Sequence, residues 1–396
     1  MSVMLEDLES RVESVKEEVI GWRRYLHENP ELSFQEEKTS QFIYDTLKSF
    51  GGNLEITRPT PTSVVAKLKG GKPGRVLGVR ADMDALPITE ENSFEFKSKN
   101  DGVMHACGHD GHTAMLLGTA KLLLAMQPDI PGEVRFIFQH AEELFPGGAE
   151  EMVNAGVMEG VEQVIGIHLW SPLTVGKIGI RAGAFMAAPD TFYITVKGKG
   201  GHAAQPQETV DSIAVAAQVV TNLQHVVSRN LDPVDPAVLS VTKFVGGTTH
   251  NVIPGSVEMM GTVRSFRPEL RTEVPALMER VIKGVTDAHG ATYTFKYERG
   301  YRPVINDEAV TEKLRECLVE AFSESVVQEL PPTMGGEDFS AYQQKAPGVF
   351  FYVGARNEEK DIVYPHHHPR FTVDETALPI GVKAFIHAVF KLNSEE

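Results

Sequence analysis

The sequence predicts an α/β protein in which a mostly parallel sheet is interrupted by an inserted ferredoxin-like βαββαβ domain. Short apolar runs typical of buried strands alternate with helical patterns, which favours a parallel sheet with helices on both faces. The middle of the chain instead follows the order strand, helix, strand, strand, helix, strand, which is the ferredoxin-like split unit. The chain has 396 residues, more than one hydrophobic core usually serves, so we expect two domains.

The strands of the larger domain are predicted from four apolar runs, at residues 75–81, 133–139, 163–169 and 348–354. Helical patterns lie between them, at residues 111–126 and 147–158. Apolar residues also recur at helical spacing from Val12 to Trp22, which predicts a surface helix near the N-terminus.

The inserted domain is predicted from an alternating strand at 191–200, helices at 209–227 and 269–290, and a last strand at 291–300. Two further strands flank the segment TTHNVIPG. We therefore expect a catalytic domain in residues 1–184 and 299–396, and a satellite domain in residues 185–298.

Composition restricts the partners and the compartment. The net charge of −16 argues against nucleic acid and anionic membrane, since both need a basic face. The longest apolar stretch, Ala114 to Met126, is broken by Lys121 and is too short to span a bilayer. Cys107 and Cys317 are too few for a disulfide framework, and the N-terminus lacks the pattern of a signal peptide. These features predict a cytoplasmic protein.

Polar side chains follow the predicted strands of the larger domain. Asp82 and Asp84 follow the first run, Glu142 and Glu143 follow the second, and His168 comes at the end of the third. The sequence YPHHHP follows the fourth. Ligand sites in α/β sheets lie at the carboxyl ends of strands, so we expect these groups to converge on one site.

The residue types indicate a metal. Cys107 and His109 lie two residues apart before a predicted helix, and thiolate and imidazole are good ligands for zinc-class ions. Glu142 and Glu143 point to opposite sides in an extended chain, so one carboxylate can bind an ion while the other transfers a proton. The competing interpretations are a buried cysteine beside a capping histidine, a solvated acidic pair that begins a helix, and, for His168, a core histidine.

Seven motifs give the chain a close resemblance to the metal-dependent N-acyl-amino-acid amidohydrolases, a branch of the aminoacylase and carboxypeptidase superfamily. They are GVRADMDALPI, MHACGHDGHTAMLLG, FQHAEE, GKGGHAA, HNVIPG, GGEDFS and HHHPRF. The resemblance covers nearly the whole chain and implies a metallopeptidase-type catalytic domain. Its two divalent ions, zinc or alternatively cobalt or manganese, would be held by Cys107, His109, Glu143, His168 and His367.

The resemblance also implies roles for other side chains. It makes Glu142 the general base, Asp82 the partner that orients His109, and His202 of the satellite domain the group that steadies the oxyanion. The groups implied to bind the substrate are Asn251, Arg264, Gly335 and Gly336. Two positions depart from the branch: Gln207 stands where histidine is frequent, and His140 stands where proline is common.

The function that the resemblance implies is hydrolysis of the amide bond of small N-acyl-L-amino acids, by a dimer or tetramer that associates through the satellite domain. One alternative is a dipeptidase, a carboxypeptidase or an N-acetyl-diaminopimelate deacetylase with the same machinery. The other is a metal-binding dimeric protein without catalysis, which the intact Glu142–Glu143 pair disfavours.

Overall fold

The computed structural model describes residues 7–394, which divide into two compact units. The first unit contains the chain through Gly183, Ile305–Pro331 and the chain from Asp338 onward. The second unit contains Ala184–Val304 and Pro332–Glu337. Residues 1–6, on which part of the signal-peptide argument rests, and residues 395–396 lie outside the described part.

The secondary structure follows the predicted alternation. The helices are α1 (Leu8–Glu28), α2 (Glu37–Ser49), α3 (His109–Ala125), α4 (Ala149–Asn154), α5 (Ser212–Asn230), α6 (Leu270–Ala288), α7 (Glu308–Phe322), α8 (Ser340–Gln343) and α9 (Ala377–Leu392). The strands are β1 (Glu55–Thr57), β2 (Val64–Lys69), β3 (Lys72–Asp82), β4 (Pro131–Gln139), β5 (Gln163–Thr174), β6 (Ile178–Ile180), β7 (Gly183–Met186), β8 (Ala188–Lys197), β9 (Gly201–His202), β10 (Ala237–Val245), β11 (Val252–Ile253), β12 (Ser256–Ser265), β13 (Thr292–Glu298), β14 (Val304–Asn306), β15 (Val327–Glu329) and β16 (Gly348–Arg356).

The first unit is built on an eight-stranded mixed sheet with the order β1-β2-β4-β3-β5-β16-β6-β15. Its centre is parallel, because β3 pairs in parallel with β4 and β5, and β5 pairs in parallel with β16. The four predicted apolar runs form these four central strands. Their carboxyl ends therefore meet at one edge of the sheet, where Asp82 lies opposite Gln139 in register.

The main hydrophobic core of the first unit lies between the sheet and helices α1, α3, α7 and α9. Alternate residues of the central strands face this core, as in the series Val349, Phe351 and Val353 of β16. Helix α3 is buried nearly all round, since it packs against α1, α9 and the sheet. The intervening strand residues, among them Arg80 and Phe350, face the other side of the sheet, where Phe339 packs on Phe350.

The second unit is a four-stranded antiparallel sheet with the order β10-β12-β8-β13. Helices α5 and α6 pack on it, and together they bury a separate apolar core that includes Ile194, Val219 and Met278. The order of these elements along the chain is βαββαβ. The predicted fold class, a mostly parallel α/β sheet with a small antiparallel satellite, is confirmed. Among residues 7–394, no helix has the length and apolar character needed to cross a bilayer.

Candidate metal centre

The loop before α3 carries the first two predicted ligands. Gly108 lies between Cys107 and His109 with φ of +96°, a left-handed conformation that glycine adopts without the cost a Cβ would bring. Helix α3 begins directly after this tight turn, at His109. Both flanking side chains are buried and belong to one group of ligand-type atoms with His168, all within 4.8 Å of one another.

His168 is held with its Nε2 toward the thiol of Cys107. Its Nδ1 donates to the carbonyl oxygen of Leu169 at 2.8 Å, because a carbonyl can only accept. Nε2 then carries the lone pair of the neutral ring, and it lies 3.5 Å from Cys107 Sγ. Burial, with the nearby His112 ring, lowers the pKa of His168 well below its usual value, so this ring is in the neutral form that binds metals. The prediction that the strand ends at His168 is wrong, since β5 continues to Thr174.

His109 is oriented by Asp84 rather than by Asp82, which corrects the role that the resemblance implies. Nδ1 of His109 lies 3.0 Å from the carbonyl oxygen of Asp84 and 3.2 Å from its Oδ1. Nε2 is left for an ion, as in carboxylate–histidine–metal arrangements. Asp82 contacts His109 only on the Nε2 side, at 3.8 Å.

Asp82 is instead held between Arg80 and His112. It accepts from the Arg80 guanidinium at 2.6 Å and from His112 Nδ1 at 2.6 Å. His112 Nε2 in turn accepts from the backbone N–H of Leu169 at 2.8 Å, so both ring nitrogens are occupied by protein partners. His112 therefore joins Asp82 to the strand that carries His168.

The two glutamates after β4 both lie at this cluster. Oε1 of Glu143 lies 3.4 Å from Nε2 of His367 and 3.8 Å from Nε2 of His109. Ligand-type atoms of Cys107, Glu143 and His367 form one group within 4.8 Å, and those of His109, Glu142 and Glu143 form another. Glu142 is buried and belongs to the second of these groups.

Only the middle member of the histidine run 366–368 faces this cluster. His366 donates from Nε2 to Leu169 O at 2.9 Å, and its Nδ1 lies 3.0 Å from the Ser171 hydroxyl. His368 accepts the backbone N–H of Arg370 at 3.0 Å. These bonds fix both outer histidines in structural roles, and the chain turns at His367, where φ is +65°.

The donor set fits divalent ions. Among residues 7–394, His109 Nε2 and Glu143 Oε1 are buried and have no hydrogen-bond partner, although they lie 3.8 Å apart. Burial opposes protonation of His109, yet the carboxylates of Asp82, Asp84 and Glu143 raise its pKa to about 10. Burial, together with Glu143 and Glu142, raises the pKa of the Cys107 thiol well above its usual value. The cluster therefore needs positive charge, which metal ions supply while they stabilise the thiolate.

The remaining predicted residues lie in the second unit. Strands β9 and β11 pair His202 with Val252, and the N–H of Ala203 donates to the carbonyl of Asn251 at 3.1 Å, so His202 and Asn251 are neighbours. Arg264 lies on β12 and donates to Val263 O at 3.2 Å within its own strand. Gly335 and Gly336 lie in the segment Pro332–Glu337. A Cβ on Gly336 would lie 2.5 Å from Cγ of Pro189, so close packing requires glycine there.

The first unit thus brings together one thiol, three imidazoles and a carboxylate, beside a second carboxylate, at the carboxyl edge of an α/β sheet. That combination defines the class of metal-dependent hydrolases. The model of the peptidase family M20/M25/M40 matches residues 78–391. The chain belongs to this family.

Three similar proteins illustrate the relationship. An N-acyl-L-amino acid amidohydrolase of Geobacillus stearothermophilus is 67% identical over 76% of this chain and 81% of its own length. Thermostable carboxypeptidase 2 of Saccharolobus solfataricus is 44% identical over 98% of both chains. The crystal structure of the Bacillus subtilis YXEP protein, described as a dinuclear metal-binding peptidase of the M20 family, has a TM-score of 0.83 at 39% identity and covers 96% of this chain and 98% of that one.

Proposed function

We propose that the protein hydrolyses the amide bond of N-acyl-L-amino acids, releasing a carboxylic acid and a free L-amino acid. The observation that carries the substrate class is the 67% identity to the Geobacillus amidohydrolase. The relationship to a dinuclear metal-binding peptidase supports two ions in the site. We assign their binding to Cys107, His109, Glu143, His168 and His367.

The ligand groups support this assignment. Cys107 belongs both to the group with His109 and His168 and to the group with Glu143 and His367, so a thiolate at this position can serve two neighbouring ions. When bound, such ions acidify a water molecule and polarise the amide carbonyl. Thiolate and imidazole ligands favour zinc, and cobalt and manganese are the alternatives.

We assign proton transfer to Glu142. Its neighbour Glu143 faces His109 and His367 and is assigned to the ions, and Glu142 is assigned to substrate and water. Glu142 takes a proton from the attacking water and later delivers it to the departing nitrogen. General acid–base catalysis of this kind contributes about 10²–10⁴-fold to the rate.

The second unit is assigned the contacts to the substrate. His202 accepts the N–H of Ala204 on Nδ1 at 3.0 Å, so the proton of the neutral ring is on Nε2, which can donate to an oxyanion. Asn251 accepts the Thr249 hydroxyl on Oδ1 at 3.1 Å, which leaves its amide N–H groups to donate to a carboxylate. We assign Arg264 to that same carboxylate, and the backbone of Gly335 and Gly336 to contacts with the bound substrate.

We also propose that the chain associates with copies of itself through the second unit. Strand β10 is an edge of the satellite sheet and exposes Phe244 and Val245. An exposed apolar edge strand is a site for pairing with another chain. Sedimentation velocity of the wild type and of Phe244→Lys tests this: the wild type should sediment as a dimer or tetramer and the variant as a smaller species.

Both cysteines are free, in keeping with a cytoplasmic location.

A carboxypeptidase is the second candidate, because the Saccharolobus relative is 44% identical over 98% of the chain. The two candidates differ in the group on the acyl side of the amide, which is a simple acyl group in one and a peptide in the other. Purified protein is stripped with a chelator, reloaded with zinc, cobalt or manganese, and assayed on N-acetyl-amino acids, N-benzoyl-amino acids and dipeptides. We expect N-acyl-amino acids to be cleaved with the highest kcat/KM, and preference for peptides by tenfold or more would overturn the proposal.

A further inference from the structure

The backbone directly before Glu142 is strained. Ala141 has φ of +49°, in the left-handed region that is unfavourable for an L-residue with a Cβ. Ala141 is fully buried, so it cannot relax into solvent. A conformation of this kind persists only where the surroundings hold it, and the neighbours of Ala141 therefore determine where Glu142 points.

One buried carboxylate holds this residue. Oε1 of Glu36 accepts the backbone N–H of Ala141 at 2.8 Å and also the backbone N–H of Phe34 at 3.0 Å. Phe34 is itself left-handed, with φ of +66°. Oε2 of Glu36 accepts the hydroxyl of Thr62 at 3.0 Å, and the Glu36 side chain is fully buried. A single carboxylate thus ties together two left-handed residues, of which Ala141 lies 105 residues from Glu36 in the chain.

The other side of Glu142 is held from the same stretch of chain. Oδ2 of Asp84 accepts the backbone N–H of Glu143 at 3.0 Å and the hydroxyl of Ser33 at 2.6 Å. The turn after α1 thus holds the backbone on both sides of Glu142, through Glu36 at the N–H of Ala141 and through Ser33 and Asp84 at the N–H of Glu143.

We propose that Glu36 is a positioning residue that sets the location of the Glu142 carboxylate through the Ala141 peptide. The proposal rests on the proposed role of Glu142 in proton transfer. Loss of the Glu36 acceptor lets Ala141 leave its left-handed conformation, and the peptide that carries Glu142 then turns. Glu143 keeps its own bond to Asp84, so metal binding is affected less than turnover.

The test compares Glu36→Ala, Glu36→Gln and the control Glu37→Ala in zinc-loaded protein. Glu37 is one residue further on and exposed, so its replacement removes a glutamate side chain from the same helix start without the buried contacts. We expect Glu36→Ala to lower kcat about 10- to 100-fold, with KM within about threefold of wild type and the metal content unchanged. Glu36→Gln keeps an oxygen acceptor for both N–H groups, so it should restore kcat to within about threefold. Glu37→Ala should behave as wild type.

Several results would overturn the proposal: wild-type kcat in Glu36→Ala, an equal loss in Glu36→Gln, or a loss in Glu36→Ala that follows the loss of metal. If Glu36→Ala does not fold, Glu36→Asp replaces it. Its carboxylate is one methylene short of the Ala141 N–H, so kcat should fall at unchanged KM, and a wild-type kcat there refutes the proposal. Glu142→Gln is assayed in parallel. Full activity of Glu142→Gln contradicts the proposed function, whereas an inactive Glu142→Gln beside a fully active Glu36→Ala contradicts this inference alone.

Discussion

The sulfur of Cys107 lies 3.5 Å from Nε2 of His168, although 61 residues of chain separate them. A cysteine or a histidine that only packs in the core has no need to bring its sulfur and its basic nitrogen this close together. The carbonyl of Leu169 takes the Nδ1 proton of His168 and turns the basic nitrogen toward the thiol. Two metal-ligand atoms that face each other in a buried, carboxylate-rich cluster indicate an ion between them.

Removal of Cys107 is expected to release metal. Cys107 is shared by two groups of ligand-type atoms, so Cys107→Ala should lower the affinity for both ions and abolish most activity. Elemental analysis after dialysis measures the bound metal per chain. Cys317→Ala is the matched control, since that buried thiol donates to the carbonyl of His387 and is not part of the cluster. Equal metal content in the two variants would contradict the ligand role.

Replacement of Glu142 is expected to separate catalysis from metal binding. Glu142→Gln keeps the size of the side chain but cannot take a proton, so kcat should fall by about 10²-fold or more while both ions remain. Glu150→Gln, an exposed position on α4, controls for the substitution itself. Activity of Glu142→Gln close to that of Glu150→Gln would show that the base is another residue.

Asp84, rather than Asp82, is expected to control the orientation of His109. Asp84→Asn weakens the acceptor for His109 Nδ1 and for the N–H of Glu143, and outer partners of this kind change metal affinity by about 10- to 100-fold. Competition with a chelator measures the affinity, and Asp45→Asn, on the exposed face of α2, is the control. An affinity equal to that of the control would return the orienting role to Asp82.

The stability of the protein is expected to depend on pH through Glu36. Burial, with the nearby Asp84 carboxylate, raises the pKa of Glu36 to about 7 from an ordinary value of 4.5. Between these values the folded protein binds the extra proton, so the contribution of Glu36 to stability falls as the pH rises through this range and is constant above it. Glu36→Gln does not titrate and should gain up to about 3 kcal/mol relative to wild type between about pH 4.5 and about pH 7. Unfolding of both proteins across this range measures the difference, and a pH-independent difference would refute the shift.

Much of the fold is predictable because burial imposes a period on the sequence. The apolar spacing from Val12 to Trp22 lies in α1, where Val12, Val15 and Val19 are buried. The four apolar runs form the four parallel central strands, since strands buried on both faces are mostly apolar. The continuation of β5 past His168 was not predictable, because Trp170 and Ser171 interrupt the apolar run while the backbone pairing with β16 continues.

The residue types of the site were predictable from the sequence, but which carboxylate contacts which histidine was less so. Asp82 and Asp84 lie two residues apart on the same side of the chain, so sequence spacing does not tell which of them meets His109. Asp82 does not orient His109 because its Oδ1 accepts from Nδ1 of His112 at 2.6 Å. The role of Glu36 depends on the left-handed Ala141, and no pattern in the sequence marks a non-glycine residue for that conformation.

The central claim is that five side chains from distant parts of the chain hold two ions beside Glu142. Anomalous diffraction at the metal absorption edge, from crystals of zinc-loaded protein, tests it most directly. We predict two anomalous peaks per chain, bound by Cys107, His109, Glu143, His168 and His367, with Glu142 bound to neither. Anomalous peaks bound by other residues, or the absence of any peak at these five residues, would contradict the account.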